Sequence, residues 1–257
     1  MTLLNRSLLT FTLISLVGVF TARIYGAIIV PNSLENTAGN SSSPLPFHMG
    51  AKTLQMQISA DQLSGIAGSS IAGISFRLDE SSLEPDSSAR SFADYEITLG
   101  AALNPFGSIS PTFGNNMSAL GSDKVRDGAL TIPSNAITSG SNPNDFSYTV
   151  AFDHNYSYAG GDLVVLITHT GSGLASYTLD GANSSTAGYG NVVGSDFHAQ
   201  SDSGFNSPTA TALNAVFPVI EFETVPPPIP EPSAYAAIAG LGLLGFACWR
   251  KVRQRKG

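Results

Sequence analysis

Leu163-Val-Val-Leu-Ile167 is five apolar residues in a row, introduced by the turn signal Gly160-Gly161-Asp162. A run this short and this apolar reads as a strand covered on both faces, at the centre of a sheet. The segments around it alternate instead. Phe146, Tyr148, Val150 and Phe152 alternate with Ser147 and Thr149, and Leu54, Met56 and Ile58 alternate with Gln55 and Gln57. Ile74, Phe76 and Leu78 interleave with Ser75 and Arg77, and Tyr95, Ile97 and Leu99 with Glu96 and Thr98. Successive side chains of a strand point to opposite faces, so each segment reads as a strand with one buried and one wet face. Val219, Ile220 and Phe222 close the set. Turn signals separate the strands, among them Asp127-Gly128, Asp180-Gly181 and Gly188-Tyr189-Gly190. No stretch keeps a helical period beyond two turns. The expectation is an all-β fold, a jelly-roll-like β-sandwich over residues 47–222. A closed barrel fits the same pattern, and no fixed repeat supports a solenoid. Residues 28–46, rich in Asn, Ser, Gly and Pro, read as a flexible leader.

Charge is divided sharply along the chain. Between residues 28 and 232 stand only five basic groups, Lys52, Arg77, Arg90, Lys124 and Arg126, against all nineteen acidic ones, a formal charge of −14. A domain this acidic repels phosphate backbones and anionic headgroups, which argues against nucleic acid as a partner. The single cysteine, Cys248, lies outside this span, so the body folds without a disulfide.

The two ends read as targeting segments. Residues 1–27 have a basic residue, Arg6, then a thirteen-residue apolar stretch from 8 to 20, the form of a signal peptide removed by signal peptidase. Ala22 and Ala27 are both acceptable final residues, each with a bulky residue two positions earlier. An uncleaved N-terminal anchor is the alternative, though the apolar stretch is short for a span. Residues 233–257 read as a single C-terminal transmembrane helix with a basic tail. Residues 234–249 hold no charge over sixteen positions, about 24 Å as a helix, and Arg250, Lys251, Arg253, Arg255 and Lys256 follow. The basic cluster stays cytoplasmic by the positive-inside rule and places the body outside. Between body and span, residues 223–232 form a proline-rich spacer that advances about 3.1 Å per residue in polyproline conformation.

The C-terminal pattern resembles a PEP-CTERM sorting signal, on three ordered parts: the triplet Pro230, Glu231, Pro232, a short apolar span, and the Arg/Lys tail. The resemblance implies a protein exported by a Gram-negative bacterium that makes exopolysaccharide. It also implies exosortase, a membrane-embedded cysteine transpeptidase-like enzyme, as the processing partner, with the inner membrane holding the chain transiently before it reaches the surface. The tail covers about thirty residues and implies nothing about the activity of the body.

Chemistry in the body is sparse. It has no cysteine and no Gly-x-Ser-x-Gly elbow, and His48, His154, His169 and His198 lack the spacing of a zinc helix. The expectation is no catalytic residue, no cofactor and no enzyme. Hard oxygen donors crowd two loops, Asn142, Asn144 and Asp145 in one and Asp196, Asp202 and Asn206 in the other, so structural calcium is a hypothesis beside plain turn formation. Tyr156, Tyr158, Tyr177 and Tyr189 lie near glycine-rich turns and could stack on sugars or lid the core. The functional expectation is a structural or adhesive surface protein of the exopolysaccharide matrix, with polysaccharide as a partner. The alternative is a secreted carbohydrate-binding module or glycoside hydrolase.

Overall fold

The structure, a computed structural model, describes residues 26–82 and 87–225. Its strands are β1 (Ile28–Val30), β2 (Ser41–Ser43), β3 (Lys52–Ile58), β4 (Ser70–Phe76), β5 (Arg90–Phe92), β6 (Tyr95–Ala101), β7 (Asp123–Arg126), β8 (Leu130–Ile132), β9 (Tyr148–Ser157), β10 (Leu163–His169), β11 (Leu179–Ala182), β12 (Phe197–Asp202), β13 (Phe217–Pro218) and β14 (Ile220–Val225). Regular helix among the described residues is limited to three-residue 3₁₀ turns, and none is long and apolar enough to cross a membrane.

The unbroken apolar run falls in β10, the middle of a five-stranded sheet ordered β12-β3-β10-β6-β7. β10 pairs antiparallel with β3 from Leu163↔Ile58 to His169↔Lys52, and with β6 from Leu163↔Ala101 to His169↔Tyr95. Leu163, Val165 and Ile167 face the core while Val164, on the other face, is also buried. That second covering comes from the residues between β6 and β7. A side chain at Gly100, which pairs with Val164, would collide with Met117 at 2.6 Å.

A four-stranded antiparallel sheet ordered β1-β14-β4-β9 packs against the first. Ile74, Phe76, Val150, Ile220 and Phe222 from this sheet join Leu54, Met56, Ile97, Leu99 and Phe197 from the other in one continuous core. This is a two-sheet, all-β sandwich. Smaller sheets, β13-β11-β2 and β5-β8, are appended to it.

Two expectations are corrected. The expected leader of residues 28–46 contains β1 and β2, and β1 pairs with β14 at Ile28↔Phe222 through Val30↔Ile220. A three-residue strand is too short to show a period, so its loop-like composition hid it. Glu223, Thr224 and Val225, expected in the spacer, belong to β14. The wet faces are also drier than expected, since Gln55, Gln57, Ser75 and Arg77 are all buried. Gln55 Oε1 accepts from Asn116 Nδ2 and from Gln200 Nε2, both at 2.8 Å, and Gln55 Nε2 donates to the Phe113 carbonyl at 2.9 Å. An amide network thus pins the long β6–β7 connection over that face and satisfies the Gln55 amide, while Gln57 Nε2 donates to the Asn104 carbonyl at 2.8 Å and its buried Oε1 has no hydrogen-bond partner. The remaining expected segments, residues 1–25 and 226–257, lie outside the described residues. They include most of the signal peptide, the Pro230-Glu231-Pro232 triplet, the C-terminal helix and the basic tail.

The sandwich has two distinct poles. β3 passes into β4 through residues 59–69, and β9 into β10 through 158–162, so the sheet ends at Ile58, Ser70, Ser157 and Leu163 form one pole. These connections are locked together: Gly68 N donates to Tyr158 O and Tyr158 N to Ser69 O, each at 2.9 Å, and Ala60 N donates to Asp162 Oδ1 at 2.9 Å. Both chain ends leave here, because β1 and β14 are antiparallel and Thr224 Oγ1 donates to the Gly26 carbonyl at 3.1 Å. We term this the exit pole. The opposite, distal pole carries the ends of strands at Lys52, Phe76, Tyr95, Tyr148 and His169.

Candidate functional site

A cleft of about 480 Å³ opens beside the distal end of the four-stranded sheet. Ile29 of β1 and Glu221 of β14, a directly paired couple, form one side. Arg77, just past β4, and residues 142–146, just before β9, form the others, with Glu35 and Asn36 closing the rim. Its walls thus come from five separated stretches of sequence brought together by sheet pairing.

Arg77 is the keystone of these walls. It is 1 % exposed, and its Nε donates to Asp180 Oδ2, also 1 % exposed, at 2.8 Å. Its Nη2 donates to the Leu34 and Thr37 carbonyls, both at 2.8 Å, which ties the residues after β1 to the sheet. The guanidinium carbon lies 5.2 Å from the centre of the Phe146 ring, close enough for cation–π attraction. Burial, the largest influence, pushes the Asp180 carboxyl up; the Arg77 charge and hydrogen bonds from Arg77, Gly39 and Gly181 oppose it. Burial also pushes the Glu221 carboxyl up, Glu223 adds to this, and Arg77 opposes it. The cleft therefore places the Glu35, Asp145 and Glu221 carboxylates and the Asn36 amide around one aromatic side chain, Phe146.

The residues of the two oxygen-rich loops are engaged as follows. Asn144 is buried and fully used: its Oδ1 accepts from Gly140 N at 2.9 Å and Ser141 N at 3.2 Å, and its Nδ2 donates to the Leu78 and Asp79 carbonyls. Asn142 donates to Glu80 at 3.1 Å and Asp145 is exposed. Asp196 and Asp202 sit at opposite ends of β12, roughly 20 Å apart along an extended strand. Asp202 accepts from Thr211 Oγ1 at 2.8 Å, and that bond, with one from Ser207, holds its carboxyl down. Asn206 N donates to Thr168 Oγ1 at 2.7 Å. These are turn-forming contacts.

Among the described residues the carboxylates close enough to share an ion are instead Asp94, Glu96 and Asp127, within 4.8 Å of one another. Lys124 supplies the positive charge there, its ammonium 2.8 Å from Glu96 and 3.8 Å from Asp127. The hydrogen bond to Glu96 is the main reason its pKa is raised.

Each histidine has a partner. His169 stacks on Tyr95 at 5.5 Å between ring centres, meets Phe92 edge-on at 5.1 Å, donates from Nε2 to the Leu45 carbonyl at 3.0 Å and accepts from Gly171 N at 3.0 Å. Burial pulls its pKa down to about 4, so it is neutral in the fold. His198 is buried beside Asn214 at 3.4 Å, and burial lowers it as well. His48 Nδ1 accepts from Gly50 N at 3.0 Å, and His154 pairs with Asp123 at 2.9 Å on the surface. The four tyrosines take the core-lid option. Tyr156, Tyr158 and Tyr177 are buried, Tyr158 donates to the Gly161 carbonyl at 2.6 Å, Tyr189 donates to the Ala215 carbonyl, and Arg90 covers Tyr177 at 3.7 Å. The aromatic that does line the cleft, Phe146, was legible only as a strand residue. Arg77 could have been suspected, being one of five basic groups in an acidic body.

The family model for the PEP-CTERM protein-sorting motif matches residues 228–254, which include Pro230, Glu231, Pro232, the apolar run and Arg250, Lys251 and Arg253. No curated protein and no solved structure matches the chain. The chain is thus a protein addressed for export by a C-terminal sorting signal. It contains the PEP-CTERM sorting motif, which marks a substrate of exosortase bound for the cell envelope or surface of a Gram-negative bacterium.

Proposed function

We propose that the chain is a structural or adhesive component of the exopolysaccharide matrix, without catalytic activity or a cofactor of its own. Signal peptidase removes the N-terminal segment, the C-terminal helix holds the body at the outer face of the inner membrane, and exosortase releases it at Pro230-Glu231-Pro232. The observation that carries this reading is the sorting motif, joined to a body in which the groups named next are engaged within the fold. Arg77 is committed to Asp180, Lys124 to Glu96, and the buried histidines to backbone or ring contacts. A two-sheet sandwich suits a passive display scaffold, and the passage of β3, β4, β9 and β10 between the two large sheets supports a jelly-roll-like reading of it. The test is substitution of Pro230, Glu231 and Pro232 by alanine, with the chain followed by cell fractionation. The variant should accumulate in the membrane fraction while the parent reaches the surface and medium; equal release of both would refute the role of the triplet.

The cleft favours a second reading, carbohydrate binding, because carboxylates and amides surround Phe146 there. A glycan array on the chain should then show a bound polysaccharide and its loss in Asp145→Ala, an exposed change that spares the fold. Binding unaffected by that change would move the site elsewhere, and new reducing ends during incubation would argue for a hydrolase.

A further inference from the structure

The exit pole differs from an ordinary solvated end of a sandwich. Eight large hydrophobic side chains are exposed among the described residues, and Leu103, Leu120, Val192, Val193 and Val225 belong to this one pole. The pole placement follows from pairing. Ala101, Leu163, Ile58 and Phe197 line up across the five-stranded sheet at its exit end, so the residues after Ala101 and before Phe197 lie there. Ser118 N donates to the Ala101 carbonyl at 3.0 Å, which brings the Leu120 turn to the same end. Gly107 N and Ile109 N both donate to Asn191 Oδ1 at 3.2 Å, joining the loop after Leu103 to the loop carrying Val192 and Val193.

Leu120 and Val193 are each 91 % exposed. Each precedes a glycine of positive φ, Gly121 at 89° and Gly194 at 87°, so the turn thrusts the aliphatic side chain outward. Turn tips ordinarily carry Asn, Asp, Ser or Gly, and aliphatic residues there call for an apolar surface to meet. The connecting residues 59–69, 102–122, 158–162 and 187–196 contain no Lys or Arg, so attraction to anionic headgroups is not what this surface offers.

We infer that the exit pole is a bilayer-contact surface, with Leu103, Leu120, Val192 and Val193 entering the interfacial layer of an uncharged lipid surface. This rests on the reading of residues 233–257 as a membrane span. Eight residues separate Val225 from Ala234, a reach of about 30 Å, so the tail joins the body to the bilayer at this pole and not at the distal one. The N-terminal apolar stretch leaves beside Gly26 and tethers the same pole until it is removed. The sandwich therefore stands on its exit pole and turns the cleft beside Arg77 away from the membrane. Release at the sorting triplet would leave the four aliphatic tips on the freed body.

The test uses the full chain with Cys248→Ser, reconstituted in phosphatidylcholine vesicles, with one fluorophore on Leu120→Cys or Val193→Cys. Met49→Cys and Leu174→Cys, exposed at the distal pole, are the references. Lipids carrying a quencher near the glycerol level should cut emission at 120 and 193 at least twofold and leave 49 and 174 unchanged. Floating vesicles that carry the chain but quench all four sites alike overturn the proposal and leave the tail reading standing. A chain that does not float with vesicles refutes the tail reading and the proposal together. Label-to-label contact at 193 between copies without lipid would assign the surface to a second copy of the chain, and also overturns it.

Discussion

The two poles of the sandwich are built from different materials. At the distal pole, Phe47 meets Phe76 edge-on at 5.2 Å and Tyr177 at 5.9 Å, Tyr95 stacks on His169, and Arg77 is buried against Asp180. At the exit pole backbone hydrogen bonds close the glycine turns, Leu63, Ile66 and Tyr158 pack into the core, and Leu103, Leu120, Val192 and Val193 point outward. Side-chain packing and a buried ion pair give one end its stability. The other end packs its own core residues too, and in addition leaves the aliphatic tips at Leu120 and Val193 exposed. The buried ion pair and the exposed aliphatic tips thus lie at opposite ends, and substitutions can separate their effects.

The largest effect is expected at Arg77. Replacing it by leucine leaves Asp180 buried with its principal partner gone, and uncompensated buried charges cost about 3–5 kcal/mol. In a domain of this size that lowers the melting temperature by roughly 10 °C. The double change Arg77→Leu with Asp180→Leu should recover part of the loss in a thermal melt, since the stranded charge goes as well. Stability unchanged in the single variant would show that the distal pole does not depend on this pair.

The next largest effect is a dependence on pH. His169 has a folded pKa of about 4 against an ordinary value near 6.5, so between these limits the unfolded chain binds more protons than the folded one. Stability is then fully present above about pH 6.5 and is lost as pH falls toward 4, by up to about 3 kcal/mol. His198, also lowered by burial, acts in the same direction. Melting temperatures measured at pH 7 and pH 4.5 should converge in His169→Gln relative to the parent. An equal drop in both proteins would transfer the effect to other groups.

How much of this was legible depended on whether a feature was local. β10 could be read because a strand covered on both faces shows as an unbroken apolar run, and the sorting motif because its three parts are consecutive. β1 could not, since three residues show no period. The burial of Gln55 and Gln57 was equally hidden. Alternation reports that a strand has two faces, and it does not report that a distant loop will cover the polar one with Asn116 and its neighbours. The cleft was illegible for the same reason, its walls at Ile29, Glu35, Arg77, Phe146 and Glu221 being joined only by sheet register. The oxygen-rich loops stayed ambiguous because Asn and Asp serve turns and cations alike; in the fold Asn144 gives both ends of its amide to the backbone.

The smallest expected effect is the sharpest test of the division between poles. Leu120→Ser combined with Val193→Ser removes two aliphatic side chains that touch little within the fold, so the stability change should stay within about 0.5 kcal/mol. The backbone that carries them is held by bonds serine does not disturb, including Ser118 N to the Ala101 carbonyl and Gly107 N to Asn191. Serine also suits both turns as well as the native residue does. A melt identical to the parent, set beside the large loss for Arg77→Leu, would show that the exposed aliphatic tips are free of any folding duty. A marked loss would mean that these side chains pack more deeply than their exposure indicates, and the contrast between a stabilising pole and a contacting pole would collapse.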